Sequence, residues 1–295
     1  MPPRLLAISD LHVSHRRNAH ALADLGDHGD DWLIVAGDVG DSLSDLARAW
    51  DHLSSRFGKL IWVPGNHELW CTDALSQGLE SARGVRRYEL LVELCRAHGV
   101  VTPEDPYPLF EGEGGPARVI PTFALYDYSF RPDHVSLADV NDWAWEHGIR
   151  ARDEALLHPD PRDSRVAWCH DRVARTEARL AALPDERGVK RVLVNHWPLR
   201  DDLVRIPKVP RYRPWCGTVL TEEWHVRFGL DVVVSGHLHV RATDWRDGTR
   251  FEEVSLGYPR QWRSEARLGD YLRDILRNEP GPASGRGGPL WQRWR

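Results

Sequence analysis

The chain has 295 residues, 41% hydrophobic and 28% charged, which suits a soluble globular protein with room for one large α/β domain or two small ones. Its net charge of −5 argues against a protein held on nucleic acid by its overall field, and no run approaches 18 apolar residues. Four scattered cysteines (Cys71, Cys95, Cys169, Cys216) offer neither a CxxC pair nor a disulfide framework, so free thiols are expected.

The opening MPPRLLAISD enters a strand pattern at once, with an apolar run too short for a signal peptide; a cytoplasmic protein without a membrane partner is expected. In chain order, RLLAIS (4–9) leads into SDLH, with Asp10 and His12. DWLIVAG (31–37) leads into GDVGD, with Asp38 and Asp41. A helix is predicted over 44–58, where apolar residues recur at three and four and Gly58 stops the pattern. KLIWVPG (59–65) precedes Asn66, His67 and Glu68, and a second helix is predicted over 86–99. The stretch 117–130 reads as a further strand. It leads into a segment rich in Trp, His, Asp and Pro over about 128–168, predicted as an insertion beside the active face.

A helix over 171–183 then returns to the core. RVLVN (191–195) leads into Asn195 and His196, and LDVVVSG (230–236) into GHLH, with His237 and His239. A DG turn within 240–258 predicts a hairpin. A catalytic domain is expected over 1–275, with a Pro/Gly-rich tail over 276–295. The five runs are continuous rather than alternating, as strands covered on both faces require, and their alternation with helices predicts an α/β layered fold.

Each of these five runs ends in Asp, His or Asn. A single histidine at a strand end is most often structural. Five such ends together point to one crevice outside the carboxyl ends of the strands. Carboxylate, imidazole and amide oxygen without thiolate suit Mn, Fe or Zn. Asp10 and His12 are two apart, as are His237 and His239, so each pair faces one side if extended geometry continues; the two histidines of the second pair otherwise serve different ions. The candidates Asp10, His12, Asp38, Asn66, His196, His237 and His239 are too many for one ion. They suit two ions about 3.5–4 Å apart that share a carboxylate.

Over residues 4–240 these blocks, Asp-x-His, Gly-Asp, Gly-Asn-His-Glu, His and Gly-His-x-His, resemble the calcineurin-like metallophosphoesterases, in that family's order. The resemblance implies an α/β fold of two mixed β-sheets packed as a sandwich and flanked by helices. It implies one metal on Asp10, His12, Asp38 and His239, and a second on Asp38, Asn66, His196 and His237. A metal-bridging hydroxide would be the nucleophile. His67 would be the general acid, oriented by Asp41, with Glu68 structural first. Where the protein phosphatases of this superfamily continue into a phosphate-gripping arginine, this chain has Ser42, so another cation is expected. The expected source is the loop 196–218, with Arg200 favoured and Arg211 also a candidate; Asn18, after the first block, is a further candidate contact.

The resemblance implies a hydrolase of phosphate esters. A phosphodiesterase acting on a small molecule, a nucleotide or a phosphopantetheine-type diester is preferred, with a carrier protein among the candidate partners. A phosphomonoesterase and a nuclease are the alternatives. The nuclease is disfavoured by the balanced charge, and nucleic acid is not an expected partner. A non-catalytic binding scaffold ranks last, because every ligand position is filled.

Overall fold

The structure is a computed structural model and describes residues 1–71, 81–263 and 265–277. The expected tail therefore lies outside the described residues from 278 onward.

The chain opens with β1 (Leu5–Ile8), α1 (Arg16–Ala23), β2 (Trp32–Val35), α2 (Leu43–Ser54), β3 (Lys59–Trp62), α3 (Asn66–Leu69) and α4 (Gly84–Ala97). It continues through β4 (Leu109–Phe110), β5 (Ala117–Pro121), α5 (Val140–Trp145), α6 (Asp153–Leu156), α7 (Arg165–Ala181) and β6 (Lys190–Val194). The last part holds α8 (Trp224–Arg227), β7 (Val232–Ser235), β8 (Ala242–Arg246), β9 (Thr249–Glu253) and β10 (Arg273–Asp274). One sheet runs β10-β1-β2-β3 and the other β4-β5-β6-β7-β9-β8. The first sheet is parallel but for the antiparallel edge strand β10, and the second has a parallel centre with antiparallel strands at both edges, so both sheets are mixed as expected.

The continuous apolar runs are explained by burial on both faces. Leu5, Ala7, Ile34 and Ile61 meet Val119, Val192, Val194 and Val232 in a core between the sheets. The alternate residues Leu6, Ile8, Leu33, Val35 and Trp62 turn outward into a core with Leu46, Trp50, Leu53 and Leu91 of α2 and α4. The result is a helix–sheet–sheet–helix sandwich. Ile8, Val35 and Trp62 lie side by side in register, so β1, β2 and β3 end together on one edge. Val194 and Val234 align in the same way in the second sheet.

Several expectations shift in detail. The third predicted helix begins at Arg165, where the Ser164 side chain accepts from the Ala167 N–H as an N-cap. The hairpin forms around Asp247 and Gly248, both at positive φ as such a turn requires. Leu276 is buried in the inter-sheet core, so packing of the domain extends one residue into the expected tail. The insertion builds no separate core: Val135, Val140, Ala144, Leu157 and Trp168 join the outer core. His225 is buried, with Nε2 3.0 Å from Asp247 Oδ2.

Candidate metal centre

The carboxyl ends of β1, β2, β3, β6 and β7 deliver the polar residues to one place, and the backbone leaves its extended path there. Asp10, His12, Asp38, His237 and His239 all have positive φ, between 44° and 72°. They are five of the eight such non-glycine residues described. Extended geometry therefore does not continue past Ile8 or Ser235. Each Asp-x-His or His-x-His pair is aimed by a left-handed kink instead, a conformation that Asp, Asn and His tolerate better than other residues with a Cβ. Close approach accounts for two of the motif glycines. A Cβ on Gly65 would run into the Asp38 carboxylate, and one on Gly236 into Ser9 and Asp10.

Two clusters result. In the first, His239 Nε2 lies 2.8 Å from Asp10 Oδ1 and 3.2 Å from His12 Nε2. In the second, His237 Nδ1 lies 3.2 Å from Asn66 Oδ1 and 3.3 Å from His196 Nε2, which is 3.5 Å from Asp38 Oδ2. Asp38 also falls within 4.8 Å of ligand atoms of His12 and His67, between the clusters. His239 thus sits with Asp10 and His12, and His237 with Asn66 and His196.

The outward atoms of these side chains are mostly tied down. His196 Nδ1 donates to Ala36 O at 2.8 Å and His239 Nδ1 to Gln261 Oε1 at 2.8 Å, which turns each Nε2 inward. Asp10 Oδ2 accepts from the His237 N–H (3.1 Å) and Ser255 Oγ (2.7 Å), while Asp38 Oδ1 accepts from the His67 N–H (2.9 Å). Asn66 Nδ2 donates to Asp153 Oδ1 at 3.0 Å, turning the amide oxygen inward.

Potential ligand atoms thus stand 2.8–3.5 Å apart in each cluster. Burial would lower His239, but the charge and hydrogen bond of Asp10 hold it above the usual imidazole range. The residues present fit metal ions. Burial pushes His12 and His237 well below the usual imidazole range and His196 down to about 4, so these rings are neutral ligands at pH 7. Burial raises Asp38 well above the usual carboxylate range, reinforced by Asp10 and Glu68.

His67 stands at the edge of this group, its Nδ1 2.8 Å from Asp41 Oδ1. Burial would raise the Asp41 carboxyl, but the hydrogen bond and charge of His67 hold it below its usual range. His67 Nε2 is directed toward the Tyr258 hydroxyl at 3.3 Å. A cavity of about 430 Å³ opens here, lined among others by Asp38, Asn66, His67, His237 and Tyr258. Glu68 is buried and accepts from the N–H groups of Asp38, Val39 and Gly65, bracing the loops after β2 and β3.

The three expected substrate contacts are placed elsewhere. Asn18 is buried and donates to Leu11 O and Gly257 O, fastening α1 to the loop after β9. Arg200 is held by Asp202 Oδ1 (2.9 Å) and Glu222 O (3.1 Å). Arg211 is held by Glu146 Oε2 (2.6 Å) and lies over the Trp143 ring. None of the three lines the cavity. Sequence reasoning missed Asp153, Tyr258, Gln261 and Ser255. Asp153 stood in the insertion and Ser255 and Tyr258 in the predicted hairpin segment, but no local pattern marks any of the four as part of the site.

Comparison with known proteins agrees with this geometry. The family model described as calcineurin-like phosphoesterase matches residues 3–241. The acyl-carrier-protein phosphodiesterase PptH of Mycobacterium tuberculosis is 46% identical over 276 residues, 93% of this chain and 83% of that protein. The crystal structure of phosphopantetheinyl hydrolase (PptH) from the same organism superposes with a TM-score of 0.87 at 46% identity, over 95% of this chain and 99% of that one. The chain belongs to the calcineurin-like phosphoesterase family, metal-dependent hydrolases of phosphate esters.

Proposed function

We propose that this protein is a two-metal phosphodiesterase that releases phosphopantetheine from an acyl carrier protein. The observation that carries the hydrolytic part is the inward convergence of acceptor atoms from five strand ends. The relative acting on an acyl carrier protein supports the substrate. One ion would be held by Asp10, His12, Asp38 and His239, the other by Asp38, Asn66, His196 and His237. The nitrogen and oxygen donors, without thiolate, suit Mn, Fe or Zn. Such a pair activates water and offsets charge on the phosphoryl oxygens.

The chain's own residues do the rest. His67 presents Nε2 to the cavity while Asp41 accepts from Nδ1–H, orienting the ring and supporting the form protonated on both nitrogens. As the oxygen of water bonds to phosphorus, shedding one proton to solvent, the bond to the departing oxygen breaks and doubly protonated His67 passes its Nε2 proton to that oxygen. The products are the apo carrier, with its serine hydroxyl restored, and free phosphopantetheine. The proposed setting is the cytoplasm; no described helix is long and apolar enough to cross a membrane.

The test is incubation of Mn-loaded protein with holo acyl carrier protein, read by intact mass. Appearance of the apo form is expected. Its absence, alongside turnover of a small activated diester, removes the carrier protein as substrate but keeps the diesterase. A clear preference for monoesters over matching diesters removes the diesterase.

A further inference from the structure

No arginine of the loop 196–218 lines the cavity beside the metal-site residues, and the loop's one lysine, Lys208, lines the neighbouring groove instead. Arg200 and Arg211 are occupied, Arg213 is paired with Asp201, and Arg205 lies 2.6 Å from Asp244 Oδ2. The guanidiniums that line the cavity with the metal-site residues are instead Arg150, Arg152 and Arg260.

These three are not equivalent. Arg150 lies 3.7 Å over the exposed Trp145 ring, turned toward the outer surface of the insertion. Arg260 is next to Gln261, the partner of His239, and also lines the neighbouring groove on that side. Arg152 is on the side of the general acid. Its guanidinium is 4.9 Å from the Trp70 ring centre, and that ring packs 3.7 Å from the ring of His67. Arg152 is exposed, and among the described residues it makes no ion pair or hydrogen bond.

Its backbone is firmly anchored all the same. The next residue, Asp153, is fully buried, and its Oδ1 accepts from Asn66 Nδ2 (3.0 Å) and Trp70 Nε1 (2.7 Å). One dipeptide of the insertion thus orients a candidate metal ligand and sets an unpaired cation at the cavity wall.

We propose that Arg152 is the cation that grips the phosphoryl group of the substrate, carried to the site by the 128–168 insertion in place of the arginine absent at Ser42. This rests on the phosphodiesterase reading above and adds to it the residue that binds the phosphoryl anion. The role is binding through charge-assisted hydrogen bonds, with no bond made or broken on Arg152. A guanidinium suits it because its planar fork matches two phosphoryl oxygens.

The test uses inorganic phosphate as probe, titrated calorimetrically into the metal-loaded full chain, with metal content and Tm recorded for each variant. R152A is expected to weaken phosphate binding about tenfold or more, as loss of a charged hydrogen bond implies, and to raise KM for the diester more than it lowers kcat. R152K should recover part of the loss, and R150A should leave the phosphate affinity at the wild-type value. Equal phosphate affinity in R152A and wild type, an equal loss in R150A, or no phosphate binding by the wild type would overturn the proposal. Phosphate binding is read without any ester, so failure to form the apo carrier leaves this outcome separate.

Discussion

The ring of His67 is held on several sides. Asp41 binds Nδ1 at 2.8 Å, the Trp70 ring packs at 3.7 Å, His12 meets it edge-on at 4.5 Å, and its own N–H is fixed on Asp38. One ring nitrogen remains to serve the cavity. In the proposed acid role, a ring placed this way should matter most where the leaving oxygen is a poor leaving group. His67→Ala is expected to lower kcat by about 10²–10⁴-fold on alkyl diesters and far less on nitrophenyl diesters. Steady-state rates on a matched pair of substrates test it, and an equal loss on both would remove the acid role.

The elements act by where they stop. β1, β2 and β3 end in register, so three short motifs far apart in sequence reach one edge without any long-range signal. That is why the metal-binding residue types were legible: each follows directly on a continuous apolar run. Asp153, Tyr258 and Arg152 were not, because tertiary packing brings them in from an insertion and a loop with no periodic pattern. Arg200 illustrates the converse. It is close to His196 along the chain, yet the turn after Leu199 sends its guanidinium to Asp202 and Glu222.

The outer helices are joined by a different device. Glu104 accepts from Tyr88 of α4 and Arg172 of α7, both at 2.8 Å, and from Arg175. Burial would raise this carboxyl, but Arg172 and its hydrogen-bonded neighbours hold it below 4.5. A depressed folded-state pKa contributes stability above the unfolded value and loses it as pH falls through the folded one. Glu104→Gln is therefore expected to cost about 1–3 kcal/mol at pH 7. The gap should close as pH drops below 4.5. Denaturant melts of both proteins across that range measure it, and a gap independent of pH would refute the clamp.

At the scale of the molecule, the two sheets share each cluster. Asp10 and His12 follow β1 of the four-stranded sheet and face His239, which follows β7 of the six-stranded one. Asn66 and Asp38 face His196 and His237 across the same seam. Ions held there would bind the two sheets together and should stabilise the fold as well as the chemistry. Removing them with a chelator is expected to lower Tm by about 5–10 °C, the effect of a ligand at 100 times its Kd. Calorimetric scans before and after chelation, with Mn added back, test this, and an unchanged Tm would refute it.

The left-handed kinks at Asp10, His12, Asp38, His237 and His239 bear on how a substrate-trapping variant should be made. An alanine at any of these sites removes a donor and also places an ill-suited residue on the kink, so two faults enter with one substitution. Asparagine at Asp10 or Asp38 keeps the side-chain shape and tolerates the same backbone. Those replacements are the better starting points for an inert protein with which to test binding of the proposed carrier.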